Sequence, residues 1–419
     1  HLSIRRQRQM CIRDSSSSTR SAIPDPPPDS PFVTLPISYD DIVAARERLR
    51  PFFDASPVRH YPQLDELVGY DIRVLVKHEN HLPTGSFKVR NGTASITALS
   101  PEQAAQGVIA ATTGNHGLGL AWAGAARGVG VTICVPTGNN PEKNAGIRAL
   151  GATLIEVGER YDETVAACRA IAEQEQRTIV HSTNHLPVIA GAGTMSDQYL
   201  TQAPELDALV IALGGGSQAV GALTVANARK ASLAVYAVQS QGAPAQHNAW
   251  HDGEARAGVP AHTFAEGIAT GSTYAMTYPA LRAGLRDFVL ASEAMIAQSV
   301  RDLWRITHNL PEGAGAAGLA GLRLLAPQLA GKTVGLVMCG GNLDAERAAH
   351  ILLGGMPHFP SGTDEGQAIG GRGQSHRLPS SSRSPSLCPL PFQQTPILTY
   401  ARGCACRYTF LRRSTLVCV

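Results

Sequence analysis

The sequence has 419 residues, which is enough for two or three average domains or for one large two-lobed protein. Hydrophobic residues make up 43% and charged residues 16%, so the chain can build a sizeable core and is not disordered throughout. The formal net charge is +3, but the arginine-rich ends carry this excess. The mildly acidic centre offers no basic stripe, which excludes a nucleic-acid-binding surface.

The ends of the chain differ in composition from its centre. Residues 1–36 and 356–419 have Ser-, Pro- and Arg-rich stretches without periodicity, so we expect disordered or non-native tails. The centre holds three widely spaced cysteines and the N-terminus has no signal-peptide pattern, which together predict a cytoplasmic protein. The uncharged run Ala208–Asn227 has the length of a membrane span, but its three glycines favour a strand, a loop and a helix, and we predict no membrane partner.

Short apolar runs alternate with amphipathic segments through the centre. The strand-like runs are Val74–Val76, Gly107–Thr112, Val131–Val135, Thr153–Val157, Ile179–His181, Ala208–Leu213, Ala234–Val238 and Val334–Met338. Apolar residues at helical spacing are found in Tyr161–Gln176, Glu293–His308 and Gly315–Leu329. This alternation predicts an α/β protein whose parallel sheets are covered by helices on both faces.

The first motif, Pro83–Arg90, places a lysine in the first turn of a predicted helix, after a glycine turn. A positive charge at a helix N-terminus is electrostatically unfavourable. A covalent bond between Lys88 and an aldehyde cofactor would relieve this cost and would also position the amine to carry protons. In isolation an ordinary surface lysine is the commoner explanation, so the remaining motifs decide between the two.

The second motif is a run of three glycines, Gly214, Gly215 and Gly216, followed by Ser217, between a predicted strand and a predicted helix. Glycines let backbone N–H groups turn inward around an anion, and the helix N-terminus adds partial positive charge. The run lacks the Gly-Lys-Ser/Thr of a nucleotide-binding loop and the spaced glycines of a dinucleotide-binding loop. We therefore predict a phosphate site, with a glycine turn that binds nothing as the alternative.

The third motif, Thr112-Thr113-Gly114-Asn115-His116, follows a predicted strand and opens a predicted helix. Polar groups at the carboxyl end of a parallel strand typically form the binding site of an α/β protein. The hydroxyls, the amide and the exposed N–H groups suit a carboxylate and a phenolic oxygen. The imidazole of His116, considered alone, is more often structural or exposed to solvent than catalytic.

The fourth motif, Cys339-Gly340-Gly341-Asn342, also follows a predicted strand. A small polar residue there can meet the nitrogen of a heterocycle, although a buried small residue in a tight turn explains the pattern equally well. In order and spacing the four motifs resemble those of the fold type II pyridoxal-phosphate enzymes, specifically the serine/threonine dehydratase and serine racemase family. The resemblance covers about residues 37–355.

The resemblance implies roles for individual residues. Lys88 corresponds to the lysine that forms the Schiff base with pyridoxal phosphate, and Glu312 to a glutamate near the cofactor, with a helix-capping carboxylate as the alternative. Asn115 would bond the phenolic oxygen of the cofactor, and Cys339 would sit at its pyridine nitrogen. The implied cofactor-binding residues are Phe87, Lys88, Asn115, Gly214, Gly215, Gly216, Ser217 and Cys339. The implied substrate-binding residues are Thr112, Thr113, Gly114, Asn115 and His116.

The implied activity is that of an ammonia-lyase, or dehydratase. It would convert a small β-hydroxy-α-amino acid, such as serine, threonine or a 3-hydroxy analogue, to a 2-keto acid and ammonia, with Lys88, Thr113 and Glu312 as catalytic residues. One alternative is an amino-acid racemase that uses Lys88 and Thr113 on opposite faces of the α-carbon. A second is a catalytically inactive homologue that binds the cofactor.

Three positions depart from the usual pattern of the family. Thr112 and Thr113 stand where relatives have Ser-Ala or Ser-Ser. Cys339 replaces a serine, and because a thiol is a weak hydrogen-bonding group, we expect the pyridine nitrogen to stay unprotonated. Gln239 and Ala245 occupy the positions of two carboxylates that bind a metal in some members, so we expect no divalent metal.

The implied fold is a two-lobed, three-layer α/β enzyme with the cofactor in the cleft between the lobes. We assign residues 37–99 and 183–355 to the large lobe and residues 100–182 to the small lobe. The expected partners are a small amino-acid substrate and a second copy of the chain in a homodimer.

Overall fold

The computed structural model describes residues 35–356. The predicted tails, apart from residues 35, 36 and 356, lie outside these described residues. Within them, no helix combines the length and the apolar character that crossing a membrane requires.

Ten strands occur in the described residues, and eight of them coincide with the predicted runs. They are β1 (Val58–His60), β2 (Arg73–His78), β3 (Val108–Ala111), β4 (Val131–Val135), β5 (Thr153–Glu156), β6 (Thr178–Ile179), β7 (Ala208–Ala212), β8 (Ala234–Ser240), β9 (Asp287–Ala291) and β10 (Thr333–Met338). The sequence does not predict β1, because two of its three residues are polar. It does not predict β9 either, since the four apolar residues of that strand lie directly before a helical pattern.

Fourteen α-helices occur in the same part of the chain. They are α1 (Tyr39–Leu49), α2 (Pro62–Val68), α3 (Lys88–Ile96), α4 (Pro101–Gln106), α5 (Asn115–Arg127), α6 (Pro141–Ala149), α7 (Tyr161–Gln174), α8 (Leu186–Gln202), α9 (Ser217–Arg229), α10 (Ala245–Asp252), α11 (Tyr278–Gly284), α12 (Glu293–Thr307), α13 (Gly313–Leu325) and α14 (Ala345–Leu352). The predicted helix Gly315–Leu329 ends four residues early in the structure, because Pro327 lies in a 3-10 turn, Ala326–Gln328, that follows α13.

The strands form two sheets. The larger sheet has the order β1-β2-β10-β7-β8-β9 and is parallel except for β1 at its edge, and the smaller sheet has the parallel order β5-β4-β3-β6. Consecutive residues of β4, β7 and β10 are buried, as they must be when helices cover both faces of a sheet. The predicted α/β fold with mostly parallel, helix-covered sheets is confirmed.

The two sheets draw on different parts of the chain. Every strand of the smaller sheet lies between residues 108 and 179, whereas the strands of the larger sheet lie before and after this interval. The division into lobes at residues 99/100 and 182/183 stays a prediction, since no independent observation tests it.

Helix α3 crosses α5 at a pair of glycines. A Cβ on Gly92 would lie 2.3 Å from the carbonyl oxygen of Gly119, and a Cβ on Gly119 would lie 2.4 Å from the carbonyl oxygen of Lys88. Only residues without a side chain allow this approach. The contact fixes the first residue of α3, Lys88, next to the first turn of α5, which begins at Asn115.

A fully buried ion pair tethers α3 to its surroundings. Arg90 donates from Nε to Oε2 of Glu79 over 2.6 Å and from Nη2 to Oε1 over 3.0 Å. The same guanidinium donates to Thr194 and Gln198 of α8. Because any shift of α3 would leave a buried charge without its partners, this network holds Lys88 at a fixed place.

Candidate active site

Residues of all four motifs line one cavity of about 1400 Å3, which lies at the carboxyl ends of the strands. Thr112 follows β3, Gly214 lies just after β7, and Cys339 follows β10. The predicted site residues that line this cavity are Phe87, Lys88, Thr112, Thr113, Gly114, Asn115, His116, Gly214, Gly215, Gly216, Ser217, Glu312 and Cys339. The structure therefore brings all of the sequence-predicted site residues together, while the role of each stays a prediction.

Lys88 lies in the wall of this cavity and is half-buried. The ammonium makes no hydrogen bond or ion pair to any residue between 35 and 356, and its Nζ lies 5.0 Å from the centroid of the Phe87 ring. Burial lowers the pKa of Lys88 to about 8, so a substantial fraction of the amine is uncharged near neutral pH. The Phe87 N–H donates to the carbonyl oxygen of Cys339 over 2.9 Å, which places the thiol residue beside the amine.

A second buried lysine shows why position matters more than the pKa alone. Burial lowers the pKa of Lys77 to about 7, below that of Lys88. Its Nζ donates to the carbonyl oxygen of Ser56 over 2.8 Å and to Oε1 of Gln202 over 2.6 Å. Since Lys77 is held by these acceptors and does not line the cavity, Lys88 is the one of these two lysines that a ligand in the cavity can reach.

The glycine run forms a tight cradle before α9. Gly216 has a φ of +97°, and a Cβ on Gly215 would lie 1.8 Å from Oγ1 of Thr183. The Thr277 hydroxyl donates to the carbonyl oxygen of Gly215 over 2.7 Å, which fixes the loop from outside the cavity. Ser217 opens the 13-residue helix α9, whose N-terminus directs N–H groups toward the cavity. The cradle thus has the geometry of a phosphate site.

Asn115 is held from both sides by polar side chains. Its Nδ2 donates to Oε1 of Glu312 over 2.7 Å, and Nδ2 of Asn342 donates to its Oδ1 over 2.7 Å. Glu312 is the N-cap residue of α13, the position that the alternative expected, but its side chain makes no capping hydrogen bond. Burial raises the pKa of Glu312. The two hydrogen bonds, to Glu312 and from Asn342, fix the orientation of the Asn115 amide at the cavity wall.

His116 lines the cavity, but its imidazole ring is hydrogen-bonded to a residue that does not line the cavity. Its Nε2 donates to the carbonyl oxygen of Val180 over 3.0 Å, which leaves Nδ1 as a bare acceptor. Burial lowers its pKa to about 3, so the ring is neutral. These contacts favour a structural role for the ring. Thr112 also has a local role, because its hydroxyl accepts from the N–H of Gly114 over 3.2 Å.

The residues present fit pyridoxal phosphate. The unpaired amine of Lys88 suits an aldehyde, and the Gly214–Ser217 cradle suits a phosphate. Cys339 is buried, and this burial raises the pKa of its thiol far above the usual range, so it offers a neutral group to a ring nitrogen.

Several charged residues of the cavity wall were not predicted, and three of them are linked by ion pairs. Lys143 and Arg347 both form ion pairs with Glu266. Lys143 lies in α6, which follows β4, so the rule that side chains at the carboxyl ends of parallel strands converge could have found it. Glu266 gives no such signal, because it lies in a 3-10 turn within a long segment that has little other regular structure.

The described residues contain no group of three or more His, Cys, Asp or Glu side chains arranged to hold a metal ion. Gln239 is fully buried, and its Oε1 accepts from the N–H of His247 over 3.1 Å. Ala245 opens α10 and is buried as well. That the protein needs no divalent metal stays a prediction.

Chelation is expected to change activity by less than about twofold, because the two positions that carry metal-binding carboxylates in some relatives hold an amide and a methyl group. Turnover would be measured after dialysis against EDTA, with and without added Mg2+ or Ca2+. A large loss that either ion restores would contradict the prediction.

A half-buried amine without a partner that shares one cavity with a glycine cradle for phosphate is the combination that an enzyme using pyridoxal phosphate needs. A family model described as "Pyridoxal-phosphate dependent enzyme" matches residues 49–340. The chain belongs to this family, and pyridoxal phosphate is its cofactor.

The chain is similar to curated relatives along most of their length. An L-threo-3-hydroxyaspartate ammonia-lyase from Pseudomonas sp is 32% identical over 318 residues, covering 76% of this chain and 99% of the relative. An L-threonine ammonia-lyase from Thermotoga maritima is 31% identical, covering 76% and 79%. The crystal structure of serine racemase from Dictyostelium discoideum has a TM-score of 0.69 and 27% identity, covering 74% of this chain and 99% of that one. The predicted membership of the serine/threonine dehydratase and serine racemase family is confirmed.

Proposed function

We propose that this protein is a pyridoxal-phosphate-dependent ammonia-lyase, which converts a small β-hydroxy-α-amino acid to a 2-keto acid and ammonia. Serine, threonine and their 3-hydroxy analogues are the candidate substrates. The observation that carries the proposal is the half-buried, unpaired amine of Lys88, which faces one cavity together with a phosphate cradle and a loop suited to a carboxylate. The ammonia-lyase names of the two curated relatives support this reaction.

The loop Thr112–His116 binds and orients the substrate in this proposal. It lies at the end of β3 and at the start of α5, where backbone N–H groups and the Thr113 hydroxyl offer donors to the α-carboxylate. Glu312 holds the Asn115 amide in place through their 2.7 Å hydrogen bond. The substrate is therefore fixed by its carboxylate on one side of the cavity.

Lys88 moves the protons. Bound pyridoxal phosphate supplies an electron sink for the charge that develops when the α-proton leaves. The Lys88 amine accepts that proton, and its lowered pKa of about 8 keeps part of it in the basic form at neutral pH. The β-hydroxyl leaves as water, and hydrolysis of the resulting enamine takes up one water and gives the keto acid and ammonia.

Racemisation is the second candidate, and one observation favours it. Thr113 lines the cavity, and its hydroxyl makes no hydrogen bond to another described residue, so it is free to face the α-carbon opposite Lys88. The structural similarity to a serine racemase is consistent with this. However, a threonine hydroxyl is a very weak acid and its χ1 rotation is restricted, whereas elimination needs no second acid.

We therefore expect keto-acid release from an L-β-hydroxy amino acid to exceed formation of the D-enantiomer. Thr113→Ala is expected to lower any racemisation at least about a hundredfold, the contribution of a positioned acid. It should change elimination much less. Chiral chromatography and a keto-acid assay on the same samples would measure both rates, with Thr113→Ser as the control that keeps the hydroxyl.

Predominant D-product in the wild type that is lost in Thr113→Ala and kept in Thr113→Ser would establish the racemase instead. Absence of both products from a protein that binds the cofactor would favour the inactive homologue.

The homodimer and the cytoplasmic location are also proposals. Cys134, Cys168 and Cys339 are buried and form no disulfide, which supports a reducing compartment. Size-exclusion chromatography with light scattering would test the dimer.

A further inference from the structure

Two cations in the cavity wall converge on a single carboxylate. Lys143 of α6 and Arg347 of α14 both bind Glu266, which begins the 3-10 turn Glu266–Ile268. All three residues line the same cavity as Lys88. The chemistry proposed above uses none of them.

Lys143 lies directly beside the loop that would receive the substrate carboxylate. A Cβ on Gly114 would lie 2.9 Å from Cδ of Lys143 and 3.5 Å from its Nζ. The Lys143 side chain is 10% exposed, so its ammonium is largely removed from bulk water. On the other side, the carbonyl oxygen of Gly267 would lie 2.6 Å from a Cβ on Gly214, which places the Glu266 turn beside the phosphate cradle.

The Lys143 ammonium has donors to spare. It carries three N–H groups, and Glu266 is the one hydrogen-bond partner that the structure gives it among residues 35–356. Glu266 also forms an ion pair with Arg347, whose Nε lies 3.5 Å from Oδ2 of Asp344. Lys143 can therefore turn toward a ligand anion without leaving Glu266 as an unpaired carboxylate.

We propose that Lys143, supported by Arg347, binds a second carboxylate carried by the β-carbon of the substrate. The preferred substrate is then a β-hydroxy amino dicarboxylate rather than a neutral β-hydroxy amino acid. The inference rests on the ammonia-lyase function proposed above. The Thr112–His116 loop takes the α-carboxylate, and the cavity of about 1400 Å3 leaves room beyond a serine-sized ligand.

Two substrates that differ in a single substituent test this directly, because L-threo-3-hydroxyaspartate carries a carboxylate where L-threonine carries a methyl group. The wild type is expected to prefer the dicarboxylate in kcat/KM. Lys143→Met is expected to lower kcat/KM for hydroxyaspartate at least about thirtyfold, mainly through KM, as for loss of a hydrogen-bonded charge pair. The same change should alter kcat/KM for L-threonine less than about threefold, because a methyl group makes no charge pair.

Two further variants serve as controls. Lys143→Arg keeps the cation and is expected to retain the preference for hydroxyaspartate. Arg148→Met changes another α6 cation, which is 53% exposed, pairs with Glu156 and does not line the cavity, so it should leave both substrates unaffected.

Binding of unreactive acids gives a readout that does not depend on turnover. Succinate and butyrate both have four carbons and differ in one carboxylate. Succinate is expected to raise the Tm of the wild-type holoenzyme more than butyrate does, and Lys143→Met should abolish the difference.

The outcomes separate the two proposals. Equal losses for both substrates in Lys143→Met would overturn the inference, since Lys143 would then position the Thr112–His116 loop for any amino acid. A wild type that prefers L-threonine, or that binds the two acids equally, would also overturn it. Selective succinate binding without keto-acid release from either substrate would leave the anion site standing and reject the ammonia-lyase function.

Discussion

Replacing Lys88 with alanine is expected to lower keto-acid release at least about a thousandfold, because one amine provides both the covalent attachment and the proton transfer. The variant should also lose the yellow colour of the bound cofactor. It should still fold, since the Lys88 side chain makes no hydrogen bond within the described chain and α3 is anchored by the Arg90–Glu79 pair. Visible absorbance, circular dichroism and the keto-acid assay measure the three effects.

Lys332→Ala is the matched control, because Lys332 is exposed and lies in the turn before β10, away from the cavity. It should keep both colour and turnover. Colour and full activity in Lys88→Ala would show that another amine, such as Lys143 in the wall of the same cavity, holds the cofactor, and would refute the assignment of the site.

Replacing Gly215 with alanine is expected to weaken cofactor binding about fivefold to 150-fold, the range that overpacking by about 1–3 kcal/mol produces. The new Cβ would lie 1.8 Å from Oγ1 of Thr183 and 2.8 Å from its Cβ, so the cradle has to move. Titration of the apoprotein with pyridoxal phosphate would give the Kd.

Gly130→Ala is the control for that substitution. A Cβ on Gly130 would have its nearest neighbour at 3.9 Å, and the residue does not have a positive φ. This variant should bind the cofactor as the wild type does. An unchanged Kd in Gly215→Ala would mean that the glycine run is not the phosphate cradle.

Three of the four motifs could be predicted from the sequence because each follows a strand whose pattern is unambiguous. β3, β7 and β10 are continuous apolar runs, and the carboxyl ends of parallel strands meet at one edge of a sheet. Side chains as distant in sequence as Lys88 and Cys339 were therefore expected in one cavity. The prediction of a single cofactor site depends on this rule.

What the sequence did not reveal depends on long-range contacts without a local pattern. Glu266 comes from a segment with little regular structure, so nothing in its neighbours shows that two cations converge on it. Arg90 and Glu79 form a fully buried ion pair, but nothing in the neighbouring sequence distinguishes either of them from an ordinary charged surface residue. The position of Glu312 as the N-cap residue of α13 was anticipated as one alternative, but the hydrogen bond of its side chain to Asn115 was not.

The most direct test of the proposed function is the joint measurement of keto acid and ammonia from the purified protein, with and without added pyridoxal phosphate. L-serine, L-threonine and L-threo-3-hydroxyaspartate would be supplied in turn. The account predicts equal amounts of both products from at least one substrate, dependent on the cofactor and absent in Lys88→Ala. Cofactor-loaded protein that releases neither product from any of the three would contradict it.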